Sequence, residues 1–442
     1  MSEPPREPDR PDRGPVQVYE ADVTAPTPRV EETLFHGGAL SAFSHRDFSL
    51  LWSGAFVSNV GTWIQTTVLL WYVKELTNSN AWVGAVNLAS FLPILLFVIY
   101  AGSLADRVDR RKLIIVTQVV MGLAALGLAI ATSLGQHSLA LIMGLTVTMG
   151  VAFVFNFPAW RAMVPDLVPP EDLLNGIALD AAQFNMARFV GPAIGAIIIS
   201  VWSVSGAFYI NAASFVAVIA ALLLIRARPV IVAPQISASK HIMEGFSYLR
   251  ENPWAVKLLA VLLVESFFGI ATIVLLPSEA KDVLHGGSLL YGLLVGAIGL
   301  GAVCGAPLVT LLHRRYSERA IIKGTLLAFS IILFVLALSH NDALSIAMTF
   351  SIGVVFLMAS ATINTVLQSR VERNMRGRIM SFYILVFQGT SPLGGLLLGF
   401  VSDRRSTPFA VGLGATVCLL MSIVIIAAPS VLRDAVSPTV TP

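Results

Sequence analysis

Long apolar runs, each about as long as a lipid bilayer is thick, dominate this sequence of 442 residues. A helix needs about 20 mostly apolar residues to cross the hydrocarbon layer, where the backbone finds no other hydrogen-bond partner. The first half holds six such runs, at about 48–73, 82–104, 113–134, 138–158, 175–200 and 206–226. The second half holds six more, at about 255–277, 288–312, 320–339, 343–366, 379–400 and 407–428. The sequence therefore predicts an all-α polytopic membrane protein with twelve transmembrane helices.

The composition excludes a soluble domain. Hydrophobic residues make up 56% of the chain and charged residues only 12%, whereas about 25% is usual for a soluble domain. Cys304 and Cys418 both lie in apolar runs, so we expect two isolated thiols and no disulfide framework.

The positive residues orient the helices. If both termini are cytoplasmic, 23 of the 29 Lys and Arg residues fall on the inner side and four on the outer side. Cytoplasmic loops are enriched in positive residues, so the pattern predicts that both termini lie inside, in the cell membrane. The Arg404–Arg405 pair on the outer side is the local exception.

The chain divides into two halves of six helices. We expect a Pro-rich disordered cytoplasmic tail over 1–42, halves at 43–226 and 255–428, and a second tail at 429–442. The sequence of the cytoplasmic linker 227–254 predicts a short amphipathic helix, with Ile242, Phe246 and Leu249 on one side. GPAIG at 191–195 matches SPLGG at 391–395, which is typical of parallel repeats.

The turn GSLADRVDRRK at 102–112 holds six charges in eleven residues between two apolar runs. It resembles the signature between spans two and three of the major facilitator superfamily, with Asp109 in place of a usual Gly. LVPPEDLLNGIALDAAQFNMARFVGPAIG and LQSRVERNMRGRIMSFYILVFQGTSPLGG are similar to the subgroup of siderophore and macrolide exporters. The resemblance implies the major facilitator fold and secondary active transport.

By this resemblance, the turn braces the inner gate. A carboxylate such as Asp106 binds basic partners and the positive end of a neighbouring helix, here span eleven. The alternative is a plain topological anchor. The implied gating residues are Gly102, Asp106, Arg107, Arg110, Arg111, Arg161, Gly377 and Arg378.

Span five carries a second motif. Gly191, Pro192 and Gly195 resemble the signature of the antiporter branch, although Ala187 and Ala196 stand where Gly is common. Proline removes a backbone donor and glycine removes bulk, so the motif predicts a bend and a close helix contact. Tight packing without a mechanistic role is the alternative.

Charges inside the bilayer are costly and mark functional sites. Glu265 lies near the middle of span seven, Arg188 near the middle of span five, and Asp180 in its inner third. Asp180 and Arg188 are eight residues apart, about 12 Å along a helix, so they do not meet. We expect Glu265 to pair with Arg188 and to carry a proton; a purely structural pair is the alternative.

Polar and aromatic residues in the spans suit a cavity for a bulky, partly apolar solute. Each is also compatible with simple helix packing. The candidates are Asn59, Trp63, Gln65, Phe153, Asn156, Asn364 and Gln388.

The chain lacks a phosphate loop, HExxH, CxxC and any metal-ligand spacing, so we expect no cofactor, no metal and no enzyme activity. The positive residues need no nucleic acid to explain them.

We expect a monomeric, proton-coupled exporter of an amphipathic small molecule such as a drug, toxin or siderophore. An importer or facilitator of a small metabolite, and a non-transporting sensor or enzyme, remain the alternatives.

Overall fold

The computed structural model describes residues 40–105, 107–226 and 238–427, and within these ranges the chain is helical with no strand. Asp106 lies outside the described residues. So do the predicted C-terminal tail, nearly all of the N-terminal tail, and the start of the linker.

Twelve long helical segments occupy the predicted spans. In the first half they are α1 Arg46–Thr77, α2 Asn80–Ala105, α3 Arg110–Ser133, α4 Leu139–Met163, α5 Leu173–Val201 and α6 Val204–Leu224. In the second half they are α7 Pro253–Val283, α8 Ser288–His313, α9 Glu318–Leu338, α10 Asp342–Arg370, α11 Arg376–Arg404 and α12 Thr407–Ala427. The expectation of an all-α polytopic membrane protein is confirmed.

Eleven of these described segments are long and apolar enough to cross a bilayer. The exception is α1, which has 32 residues but carries Asn59, Gln65, Thr66 and Thr67 in its middle. Those polar groups lower the mean hydropathy of α1. Two of them contact neighbouring helices, since Asn59 donates to Gln183 of α5 and Gln65 accepts from Asn211 of α6.

The helices pack mainly within each half. In the first, α1 lies against α5 and α6, α2 against α4, and α3 against α4 and α6. In the second, α8 lies against α10, and α9 against α10 and α12. The two most extensive contacts between the halves are those of α5 with α8 and of α2 with α11.

Small residues make the contact between α5 and α8 possible. A Cβ on Gly299 of α8 would stand 2.9 Å from the Cα of Phe189. Gly292, two turns earlier, faces the Ala196 methyl and the Pro192 carbonyl of α5. In lipid, such close backbone approach replaces the hydrophobic effect as the source of helix association.

Two of the twelve segments depart from a regular α-helix, which the apolar periodicity did not predict. In α7 the helix Pro253–Val264 is followed by a π turn at Glu265–Gly269, a 3-10 stretch at Ile270–Leu275 and a second π turn at Glu279–Val283. In α11 a π turn occupies Leu385–Gly389. Each π turn fits in an extra residue and so re-aims the side chains beyond it, a device frequent at functional sites.

A linker helix, Ala238–Glu251, precedes α7. Its Leu249 is buried in the core of the second half, and its Phe246 packs edge-on against Phe382 of α11 at 4.8 Å. The side chain of Ile242, also predicted for this face, lies outside the described residues. The linker helix is therefore docked on the N-terminal part of α11.

Candidate functional site

The end of the molecule that carries the α1–α2 turn is closed by contacts between the halves. Lys74 of α1 pairs with Asp282 of α7 at 2.8 Å, and Glu75 pairs with Lys281 at 2.6 Å. A polar cleft of about 670 Å³ lies beside these pairs, lined by Lys74 and Asp282 together with residues of α11 and α12.

The opposite end, where the charged turn lies, is different. A Cβ on Gly102 or on Gly377 would meet nothing within 4 Å. Arg107 is exposed. Neither glycine is therefore in close contact with a neighbouring helix among the described residues.

The basic residues of the turn bind inside their own half. Arg110 donates to Asp166 at 3.0 Å and to the Ala162 carbonyl at 3.2 Å. Arg111 donates to the carbonyl of Leu223 at 3.1 Å. Asp109, the departure from the resembled signature, caps α3 by accepting from the Lys112 amide at 3.2 Å. The turn is thereby fixed to α3, α4 and α6.

Arg110 and Arg161, two of the implied gating residues, both pair with carboxylates of their own half. Arg161 lies 3.7 Å from Asp180 of α5, and Arg110 binds Asp166, as above. Asp166 follows α4 in a short 3-10 turn that brings it back to α3, a tertiary contact that no local pattern signals. Arg378, on α11, pairs with Glu244 of the linker helix.

Gly191, Pro192 and Gly195 lie on the face of α5 that meets α1. A Cβ on Gly191 would overlap the Cβ of Trp63, and one on Gly195 would stand 3.3 Å from the Ile64 carbonyl. Pro192 lies inside the helix. The residues make the close helix contact expected of them, and the carbonyl of Pro192 also faces α8.

A polar network joins α4, α5 and α1. Asp180 is 7% exposed and accepts from Trp160 Nε1 at 3.1 Å and Gln183 Nε2 at 3.4 Å. Gln183 in turn accepts from Asn59 Nδ2 at 3.0 Å. The guanidinium of Arg161, paired with Asp180, also lies 5.3 Å from the Phe157 ring. Gln183 was missed although other amides of the spans, such as Asn59, were chosen, because nothing in the sequence shows which face of α5 meets α1.

Arg188 and Glu265 do not form the expected ion pair. The Arg188 guanidinium lies over the ring of Trp63 at 5.6 Å, and that ring packs edge-on against Phe184 at 6.2 Å. Glu265 is completely buried, and neither carboxyl oxygen has a hydrogen-bond partner among the described residues. The expectation of a Glu265–Arg188 pair is therefore wrong for this conformation, because Glu265 lies within the core of the second half.

The neighbours of Glu265 lie on α11 and α12. Glu265 is close enough to Tyr383 and Cys418 to act on both electrostatically. The Tyr383 hydroxyl donates to the Ser360 carbonyl at 3.2 Å and also contacts Asn364 of α10. Tyr383 thus lies between the surroundings of Glu265 and the candidate cavity residue Asn364, while Glu265 itself makes no hydrogen bond among the described residues.

Glu279 is a second buried carboxyl on α7 that the sequence analysis missed. It is 1% exposed, and neither of its oxygens has a hydrogen-bond partner among the described residues. It begins a π turn, as Glu265 does. The signal was present in the sequence, since Glu279 lies two residues after the apolar run predicted at 255–277.

The remaining cavity candidates divide into packing residues and partly open ones. Gln65 is buried and accepts from Asn211 at 2.8 Å, and buried Asn156 donates to Thr117 at 2.8 Å. These two join helices. Phe153, Asn364 and Gln388 are partly or fully exposed, as are Asn59 and Trp63.

Two six-helix halves, buried carboxyls within a span, and a closure at one end define a polytopic membrane transporter. The model for the family described as Transmembrane secretion effector matches residues 37–437. The chain therefore belongs to this family, and the expectations of a transporter related to exporters and of a protein that is not an enzyme are confirmed.

Comparison with individual proteins agrees with this family membership. The chain is 24% identical over 380 residues to the staphyloferrin A transporter of Staphylococcus aureus, covering 84% of this chain and 93% of that protein. It is 23% identical over 384 residues to macrolide efflux protein A of Streptococcus pyogenes, covering 85% and 94%. Its fold is similar to that of the nucleoside transporter NupG, with a TM-score of 0.70 at 14% identity, covering 86% and 98%.

Proposed function

We propose that the protein exports an amphipathic small molecule, of the drug, toxin or siderophore class, across the cell membrane by alternating access. The membership in the secretion effector family supports the direction, and similarity to a macrolide efflux protein and a siderophore transporter supports the solute class. The aromatic and amide residues that remain open, Trp63, Phe153, Asn59, Asn364 and Gln388, suit a solute of this kind.

The halves 43–226 and 255–428 are the two units that move, and 227–254 is their tether. Both termini lie in the cytoplasm, so the closed end faces outward and the charged turn faces inward. Asp106, Arg107 and Arg110 then lie on the inner side, where Asp106 meets the start of α11 when the inner end closes. The protein acts as a monomer and has no nucleic-acid partner.

Proton influx drives the export, with Glu265 as the carrier. The observation that carries this proposal is the complete burial of Glu265 without any hydrogen-bond partner among the described residues. A carboxylate in such a place is costly, whereas the neutral acid is tolerated. Glu265 is therefore protonated in this outward-closed conformation: it takes up its proton while the outer end is open and releases it to the inner side when a further movement exposes the carboxyl there. Asp180 and Arg188 form separate contacts in the first half and do not exchange this proton.

The test is flux in vesicles that contain the purified protein. With an imposed pH gradient, we expect proton-driven movement of a macrolide, a cationic dye or an iron-free siderophore against its own gradient. Movement that equilibrates the solute without responding to the pH gradient would contradict proton coupling. Movement in the same direction as the protons would contradict export.

A further inference from the structure

The last turn of α11 is fastened to the first turn of α2 through one carboxylate. Asp403 accepts from the Ser79 hydroxyl at 2.5 Å, the Asn80 amide at 2.6 Å and the Ala81 amide at 3.0 Å. The first N–H groups of a helix have no partner within that helix. Here a residue from the other half of the molecule supplies it.

Further contacts surround this carboxylate. The Asn80 Nδ2 donates to the Ser402 hydroxyl at 2.7 Å, and the Asn80 Oδ1 accepts from Ser278 of α7. Ser402 is in contact with Thr407 at 3.1 Å. Asn80 and Ser402 are both buried. The start of α2 is thus hydrogen-bonded to both α7 and α11.

The sequence around Asp403 repeats the pattern of the charged turn. Gly399-Phe-Val-Ser-Asp403-Arg404 has the same spacing of Gly, small residue, Asp and Arg as Gly102-Ser-Leu-Ala-Asp106-Arg107. The first copy ends α2 and the second ends α11. The two helices pack against each other across the interface between the halves and follow opposite directions through the bilayer in the predicted topology. Asp403 therefore lies at the start of α2, and the first copy of the pattern belongs to the opposite end of the molecule.

This pattern accounts for the exception to the charge rule. Arg404 lies over the ring of Phe400, one turn earlier in α11, at 3.9 Å. The Arg404 guanidinium therefore contacts a residue of its own helix and lies next to Asp403 in the sequence. Its presence on this side is explained by the repeated motif and does not indicate a cytoplasmic loop.

We propose that Asp403 is a positioning residue that latches the outer end shut, as the counterpart of Asp106 at the inner end. A carboxylate at a helix N-terminus is stabilised by the helix dipole and by charge-assisted hydrogen bonds. The two latches alternate: the Asp403 contacts break when the solute leaves outward, and the Asp106 contacts break when it enters from inside. The assignment of outer and inner rests on the proposed topology, and the alternation rests on the proposed function.

The test is the distance between the halves at this end. Spin labels at Trp82 and Phe409, both exposed and on different halves, report it by pulsed electron paramagnetic resonance in lipid nanodiscs, with Cys304→Ser removing the exposed native thiol. Asp403→Ala removes all three acceptor contacts, and we expect the ratio of closed to open molecules to fall about five- to tenfold, the usual effect of losing a helix cap. Asp403→Asn keeps one acceptor oxygen, and a smaller shift in the same direction is expected.

Asp342→Asn is the matched control, since Asp342 is an exposed carboxylate at the start of α10, and it should leave the distance distribution unchanged. If Asp403→Ala does not fold, Ser79→Ala removes one donor without changing charge and should shift the distribution slightly. Wild-type distributions in the Asp403 and Ser79 variants would overturn the latch. This readout needs no substrate, so it remains informative even if vesicle flux overturns the proposed export.

Discussion

Lys74 and Asp282 form an ion pair of 2.8 Å between α1 and α7, and the two side chains differ sharply in exposure. The Lys74 side chain is 3% exposed, whereas that of Asp282 is 41% exposed. A buried ammonium depends on its partner far more than an exposed carboxylate does. The Asp282 carboxylate of the second half therefore neutralises the buried Lys74 ammonium of the first half, and this contact holds the two halves together.

The first prediction concerns this pair. Asp282→Ala leaves the Lys74 ammonium without its carboxylate and should lower the free energy of unfolding by about 1–3 kcal/mol. Glu75→Ala breaks the neighbouring pair with Lys281, in which both side chains are at least one-third exposed, and should cost less than about 1 kcal/mol. Thermal unfolding in detergent compares the two. Equal losses would show that burial of Lys74 does not matter.

The second prediction concerns the glycines of α4 and α5. Gly191→Ala places a methyl group against Trp63 and should cost about 1–3 kcal/mol through overpacking. Gly144→Ala is the control, because a Cβ at position 144 of α4 meets nothing within 4 Å. That change should be neutral or stabilise the helix by up to about 1 kcal/mol. A thermal scan that ranks the two variants in the opposite order would contradict the close contact.

The third prediction separates charge from hydrogen bonding at Asp180. Asp180→Asn keeps an oxygen that accepts from Trp160 but removes the charge that faces Arg161. Asp180→Leu removes both in a buried place. We expect the Leu variant to lose about 1–3 kcal/mol more stability than the Asn variant. Similar unfolding temperatures for the two would indicate that the hydrogen bonds to Asp180 contribute little.

The sequence predicted the number and the approximate bounds of the helices, because apolar length is a direct requirement of the bilayer. It also indicated the family and the close contact of Gly191 with another helix. These features depend on local composition or on a motif that acts where it stands.

The partners of the charges were not predictable in the same way. Arg110 binds Asp166 across a turn, Arg161 binds Asp180 on another helix, and Arg188 rests on Trp63. Each contact depends on how helices are rotated about their axes, and the strongly apolar sequence contains little amphipathic signal for that rotation. The π turns at Glu265 and Glu279 shift that rotation further within α7.

The fourth prediction concerns the two buried carboxyls of α7. Glu265→Gln should abolish the response of transport to an imposed pH gradient while leaving exchange of solute between the two sides, because the amide stays neutral in every conformation. Glu279→Gln should retain a response, since Glu279 lies roughly 20 Å further along α7, at the end where Lys281 and Asp282 meet α1. Exposed Glu171 offers a control, and Glu171→Gln should match the wild type.

The most direct measurement of the central claim is proton movement itself, followed with a pH-sensitive dye inside vesicles that hold the purified protein and no imposed gradient. Adding a transported macrolide or dye to one side should move protons across the membrane in the opposite direction with the wild-type protein. The same addition should move none with Glu265→Gln. Proton movement of equal size in both proteins would contradict the role of Glu265, and its absence from the wild type would contradict proton-coupled export.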